Sequence, residues 1–265
     1  MIRGLYTSAA GAMVAEAMID NVANNLANSS TSGFKRTLLQ IESQPQTQLY
    51  RFQTDAGQVP DNRLPGVPVQ VAIGTLGSGS DTYATPTSFE QGQLYANGNT
   101  YSFALSGPGF FATQDPATGQ ISYTRSGAFM RGANGLLATV DGANVLSDGG
   151  QPIPMPPLGK VEVDTKGNVN VDGAITAQIG TFEFNNIQAL QPLGGTNYSA
   201  PLSAGIHAAN NTTVLQYTEE KSNGDVVKSM VDLINAERWF DANEKSIATQ
   251  DEATNQAIAT VGRTS

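Results

Sequence analysis

From Asp225 to Val261 the chain runs without a single Gly or Pro. Within that run Val226, Leu233, Phe240, Ile247, Thr254 and Val261 stand seven residues apart, and Val227, Met230, Ile234, Ala248 and Ile258 widen the row. Seven residues are nearly two helical turns, so these side chains share one face of an α-helix. Lys228, Asp232, Glu237, Arg238, Asp241, Glu244, Lys245, Asp251 and Glu252 fall on the other face. Ser222 or Asn223 is placed to cap the start. At ~1.5 Å per residue the helix is on the order of 55 Å long, more than a domain of this size uses. It needs a partner helix.

The opposite end of the chain offers one. Leu5, Ala12, Ile19 and Leu26 also stand seven apart, flanked by Ile2, Ala9, Met13, Val22 and Ala23. Small residues dominate this row, which favours close helix–helix approach. The pattern decays into Asn24, Asn25, Leu26, Ala27, Asn28, Ser29, Ser30, Thr31, Ser32 and Gly33. Asn and Ser compete for backbone hydrogen bonds and Gly33 tolerates positive φ, so the helix ends here. The two rows fit helices that pack on each other or on copies of the chain. Periodicity alone fits packing onto the chain's own domain equally well.

Composition narrows the field. Only 14% of the 265 residues are charged, against about 25% in ordinary globular proteins. With 28 glycines the chain suits a β-rich, turn-rich protein. A net charge of −9 leaves no cationic surface for nucleic acid or an anionic membrane. Cysteine is absent, which removes disulfides, thiolate nucleophiles and zinc–thiolate sites. No apolar run reaches the ~18 residues of a membrane span. Gly11, Glu16 and Asp20 interrupt what would be the core of a signal peptide, which by itself reads as a cytoplasmic protein and fits equally well export by a route that leaves the N-terminus uncut.

Between the two helical ends lie two stretches of different character. Residues 36–80 hold no period; Pro45, Pro60, Pro65 and Pro68 suggest an extended segment or a long irregular hairpin that contacts something outside its own domain. Residues 81–221 read as short strands and turns. Phe103–Leu105 and Phe110–Ala112 flank the turn residues Ser106-Gly107-Pro108-Gly109, and Asp115–Gly119 leads into Ile121–Arg125. Asn134-Gly135 and Asp141-Gly142 bracket Leu136–Val140. Val161–Val163 and Val169–Val171 form the clearest hairpin, and Thr181–Phe184 reads as a half-buried strand. The expected fold is therefore α+β. N- and C-terminal helices (1–35 and 222–265) pair as a coiled-coil-like bundle, and 81–221 is a mainly antiparallel β domain.

Motifs that carry chemistry are missing. There is no G-x-S-x-G elbow, H-E-x-x-H or Walker loop, and Pro108 spoils Gly107–Gly109 as a dinucleotide loop. His207 is the only histidine and reads as a surface or packed residue. Asp164, Asn168 and Asp172 fit no calcium loop, and Gly167 explains itself as a turn. No catalytic, cofactor or metal site is expected. A secreted β-rich adhesin or carbohydrate-binding protein would account for the turns, though not for the two sevenfold ends.

One resemblance accounts for both. Asn24-Asn25-Leu26-Ala27-Asn28 followed by Thr31-Ser32-Gly33-Phe34-Lys35 resembles the N-terminal signature of bacterial flagellar rod and hook proteins, and Met1–Tyr6 is similar to the start of rod proteins. Phe89–Leu94, Leu105–Phe111 and Tyr123–Phe129 resemble their shared β region. Met230–Ala242 resembles their C-terminal helix motif, with Trp239-Phe240 where a Tyr is usual. The length suits a rod subunit rather than a hook protein. Ile73–Gly77 and Thr249–Ala253 favour the proximal rod type, while the long stretch 42–78 is the feature that would suit the distal type.

The resemblance implies a non-enzymatic structural subunit of the basal-body rod, whose terminal helices polymerise into a hollow drive shaft carrying torque to the hook. Its partners would be copies of itself, other rod and hook proteins and the flagellar export apparatus. Its place would be the rod within the cell envelope. The assembly residues it implies are Leu5, Ala12, Ile19, Leu26, Asn24, Asn25, Asn28, Gly33 and Phe34 at one end. At the other they are Val226, Met230, Leu233, Ile234, Trp239, Phe240 and Ile247.

Overall fold

The computed structural model describes residues 2–53, 69–77 and 79–261. Pro60, Pro65, Pro68 and Ser78, with the side chains of Ile2 and Val261, lie outside the described residues. Helix α1 runs Ile2–Ala27 and helix α2 runs Val226–Val261; the described residues between them are strands, turns and two short 3-10 turns, so the fold is α+β. The chain divides into two compact units. One comprises Met1–Val22, Leu39–Thr85 and Val231–Ser265, the other Ala23–Leu38 and Pro86–Met230.

The start of α2 corrects one expectation. Asp225 caps it, its Oδ1 accepting the N–H groups of Val227 and Lys228 at 2.9 and 3.1 Å. Ser222 is turned to Gly224 N–H, and the side chain of Asn223 is spent on other backbone groups. The last turn of α1 gives way at the Asn/Ser run: Asn24 C=O accepts both the backbone and the side-chain N–H of Asn28, and Gly33 takes φ 71°.

In the first unit, strand Gln40–Ser43 pairs antiparallel with Ser80–Ala84, and Thr47–Gln53 with Val69–Leu76. Each pair is a two-stranded ribbon, which is marginal alone. Ile41, Tyr50, Ile73 and Tyr83 are exposed on them. At the base of the ribbons Gly79 lies so near α1 that a Cβ there would stand 2.8 Å from Ala10 Cβ.

The second unit is a β structure built on strand Phe110–Gln114. It pairs antiparallel with Ile121–Thr124, Asn144–Val145 and Thr181–Phe184 inside a nine-stranded sheet. Successive residues of a strand face opposite sides, so Phe110 and Phe111 feed two different cores. Phe111 joins Phe103, Leu105, Phe129, Leu137, Val145, Ile153, Val169, Ile179 and Val214. Phe110 packs with Leu190, Tyr198 and Ala204, edge-on to Phe89, Phe184 and Tyr198.

Val161–Val163 pairs with Asn168–Val171 as the sequence suggests, and Ala174–Gln178 extends it through the left-handed pair Asp172-Gly173. The strands on either side of Ser106–Gly109 do not pair with each other. Phe103–Ser106 takes Thr213–Gln216 instead, and Gly107 and Gly109 pack closely on Asn211 and Thr212, with Gly109 N–H donating to Thr212 Oγ1. The last strand, Thr218–Glu220, pairs with Leu94–Ala96.

Candidate functional site

Two sites are built from residues at the ends of the chain. The first is the contact between α1 and α2. A Cβ on Gly4 would fall 2.5 Å from Gln250 Oε1, one on Gly11 would fall 2.7 Å from Asn243 Oδ1, and Ser8 Oγ lies 2.9 Å from Ser246 Oγ. As the α1 number rises by four and then three, the α2 number falls by four and then three. The two helices therefore run antiparallel, touching through small and polar side chains. The α1 contacts fall on Gly4, Ser8 and Gly11, with Gly4 and Gly11 one position before Leu5 and Ala12, and Val14 and Ala15 are buried further along the helix. Leu5 itself is exposed, and Ala12, Ile19 and Leu26 are half-buried.

On α2 Leu233, Phe240 and Ile247 of the sevenfold row are half-buried, alongside Ala236, which is fully buried. Val226 and Trp239 are exposed, as is a second apolar row of Val227, Met230, Val231 and Ile234. Those four sit at i, i+3, i+4 and i+7, one continuous stripe open to solvent. Exposed Leu5, Tyr6 and Met13 mark a comparable stretch of α1. Together these form exposed apolar stretches on both helices, a feature more often found at contact surfaces than on free ones.

The second site is a knot of charge in the β unit. Glu220 is fully buried; its Oε1 accepts from Lys35 Nζ at 2.5 Å and from Gly92 N–H at 2.8 Å, and its Oε2 lies 3.6 Å from Arg125 Nη1. Lys35 also donates to Glu90 C=O, and Arg125 donates to Gly107 C=O while its guanidinium lies over the Phe110 ring. Burial pulls both cations below their ordinary pKa values, and the Glu220 carboxylate opposes the pull. The buried Glu183 carboxylate, held by Asn211 N–H and Thr212 Oγ1, also opposes the pull on Arg125, more weakly than Glu220 does.

The backbone is tied at the same place. Gly33 N–H and Ser32 Oγ both donate to Glu220 C=O. Gly33 is left-handed, and a Cβ on it would sit 2.3 Å from Ser126 N. Phe34 is buried beside it. Asn25 clamps Thr37, accepting its N–H at 2.9 Å and donating to its C=O at 2.8 Å. Asn223 does the same across three segments, accepting from Arg36 N–H and donating to Ser88 and Glu90 C=O. Asn24 is exposed and Asn28 half-buried in the turn that follows α1.

Lys35 and Arg125 stand inside the sequence motifs, yet no local pattern shows that they share a carboxylate. Glu220, Asn223 and the inner row Gly4, Ser8 and Gly11 escape a reading of hydrophobic period altogether. The spacing of Gly4 and Gly11, seven apart, is the signal that points to the seam. His207, half exposed, leans toward Glu183 at 3.7 Å and Gly205 C=O at 3.3 Å, and Asp164 is consumed in its own turn by Lys166 N–H and Asn168. Among the described residues no cluster of metal-ligating side chains occurs, and no helix is long and apolar enough to cross a membrane.

Comparison with known proteins covers both sites. Residues 104–177 match the family model for the flagellar hook protein FlgE/F/G D1 domain, and residues 215–260, which carry Glu220, Asn223 and most of α2, match that for the flagellar basal body rod FlgEFG protein C-terminal region. The flagellar basal-body rod protein FlgG of Agrobacterium fabrum is 32% identical over 95% of this chain and 96% of its own length. That of Bacillus subtilis is 32% identical over 97% of this chain and 98% of its own. The rod protein FlgF of Caulobacter vibrioides is 28% identical over 99% of both. With an antiparallel helix pair, a β unit knotted at Glu220 and likeness along nearly the full length, the chain belongs to the family of flagellar basal-body rod proteins.

Proposed function

We propose that this chain is a structural subunit of the basal-body rod, which polymerises through its terminal helices into a hollow helical shaft transmitting motor torque to the hook. The observation that carries the reading is the uncovered apolar stripe Val227, Met230, Val231 and Ile234 on a helix whose inner row is already occupied. A head-to-tail contact that does not close on itself generates an open helical tube. Stiffness under torque then follows from side chains interdigitating at crystal-like density. The 4–3 spacing of the contacts at Gly4, Ser8 and Gly11 supports coiled-coil-like packing, which such a bundle would extend from one subunit to the next.

In this reading the partners are further copies of the chain, other rod and hook proteins, and the flagellar export apparatus, with the rod in the cell envelope as its place and export without a cleaved signal peptide. The assembly residues are those at the two ends: Leu5, Ala12, Ile19, Leu26 and the Asn24–Phe34 stretch, with Val226, Met230, Leu233, Ile234, Trp239, Phe240 and Ile247. The relatives carry two names, FlgG and FlgF, so the likeness selects no level along the rod.

Ile234→Asp tests the reading. Ile234 is 48% exposed, so the charge leaves the monomer fold intact. The expected result is wild-type circular dichroism with loss of incorporation into basal bodies. Normal incorporation of the variant would overturn the proposal.

A further inference from the structure

Several partners of the segment that follows α1 come from the far end of the chain. Lys35 and Glu220 are 185 residues apart, and Ser32 and Glu220 are 188 apart. Gly33, Phe34 and Arg36 likewise bond backbone to Glu220 or Asn223. The other wall of the site, residues 88–93, is itself fastened to 220–223: Gly92 N–H to the Glu220 carboxylate, Ser88 and Glu90 C=O to Asn223, and Lys221 N–H to Gln93 C=O. Residues 35–38 also reach 86–90 directly, through Lys35 Nζ to Glu90 C=O, Ser88 N–H to Arg36 C=O and Leu38 N–H to Pro86 C=O, but the buried carboxylate that meets Lys35 comes from Glu220.

Charge enforces an order. The side chains of Lys35 and Glu220 are both fully shielded from solvent, and Arg125 is nearly so. Taking a cation out of water without its counter-ion is strongly unfavourable, so Lys35 gains nothing by entering before the carboxylate is there. The carboxylate arrives with strand Thr218–Glu220, and the strand before it, Thr213–Gln216, brings Val214 into the main core. Loop closure across nearly the whole chain adds an entropic cost that local strand pairing does not bear.

We propose that Glu220 is the closure residue of this fold: residues 31–37, and with them the C-terminal end of α1, take their place only once the last strand has docked. Residues 31–37 therefore stay undocked until residues 213–223 are in place. Gly33, with no room for a Cβ against Ser126, and Lys35, with its charge, are the two halves of the lock: one fits the shape and the other the charge of the finished site.

Refolding of the full chain from urea, with pulsed amide hydrogen exchange read by mass spectrometry, tests this directly. Amides of Gly33 and Arg36 are expected to gain protection together with Lys221 and after Ala112, Leu137 and Leu146. Protection of Gly33 and Arg36 before Lys221 would overturn the proposal. That measurement needs no variant. In native-state exchange, Glu220→Gln removes the charge while keeping the shape. Exchange at Gly33 and Arg36 should rise at least ten-fold while Ala112 and Leu137 keep wild-type protection. Unchanged exchange at Gly33 and Arg36 would equally overturn it.

Discussion

Ser8 on α1 and Ser246 on α2 face each other with their hydroxyl oxygens 2.9 Å apart, between two glycine contacts, Gly4 against Gln250 and Gly11 against Asn243. The seam is held by close approach rather than by large apolar side chains. Dispersion contacts fall off steeply with separation, so such a seam depends on its smallest residues. Gly11→Leu is expected to force the helices apart and expose α2 to protease near Arg238 and Lys245, while Gly11→Ala would be accommodated only by displacing Asn243. Limited trypsin digestion checks this. A cleavage rate for Gly11→Leu equal to wild type would show that the seam does not hold the helices.

Gly33 supports a sharper prediction. Its φ of 71° costs a side-chain-bearing residue roughly 1–3 kcal/mol, and the Cβ would collide with Ser126 N as well. Gly33→Ala should therefore lower stability by about 3 kcal/mol or more, read as a shift of the urea midpoint at unchanged slope. Gly98 also has positive φ, 75°, but nothing lies within 4 Å of a Cβ built there. Gly98→Ala should cost only about 1 kcal/mol. Equal losses would mean that the Ser126 contact is not rigid.

How much of this was legible before the structure depends on the range of the interaction. The limits of α1 follow from an apolar period and an Asn/Ser/Gly stop, both local. The hairpin Val161–Val163 with Asn168–Val171 is likewise written in adjacent residues. On α1 a hydrophobic row points to Leu5, whereas the close contacts with α2 fall on Gly4, Ser8 and Gly11, because glycine and serine, which carry little hydrophobicity, permit the closest approach. The turn residues Ser106–Gly109 are local, but the strands beside them pair elsewhere, Phe103–Ser106 with Thr213–Gln216, a partner more than a hundred residues along the chain that no local pattern names. Nothing local marks Lys35 and Glu220 as a buried pair. A lysine in a motif and a glutamate beside another glutamate look like surface residues until the fold brings them together.

The two residues that begin the C-terminal segment divide their work, and substitution separates them. Asp225 caps α2 through two N–H groups at an exposed site, so Asp225→Ala should cost about 1 kcal/mol. Asn223 joins Arg36, Ser88 and Glu90 from a half-buried position, and its loss leaves polar backbone groups without their partner. Asn223→Ala should cost roughly 2–3 kcal/mol. Urea titrations of the two variants side by side decide the matter. The reverse ranking would place the weight on the helix cap instead of the three-way tie.

Alkaline pH reports on the second core. Tyr198 is buried against Phe89 and Phe110, and loss of water around its hydroxyl pushes its pKa up to about 12. In the unfolded chain the phenol ionises near its ordinary value of about 10, so between these values the unfolded chain releases a proton that the folded one retains. Stability from this group is whole below about pH 10 and drains away as pH rises toward 12, by roughly 2–3 kcal/mol in all. Lys35 works in the opposite direction, because burial lowers its pKa and favours folding as it deprotonates. It does so in wild type and variant alike, so it cancels in the comparison. Tyr198→Phe should match wild type near about pH 8 and lose less stability than wild type between about pH 10 and 11.5 in urea titrations. Parallel decline in the two proteins would mean that the alkaline transition belongs to another group.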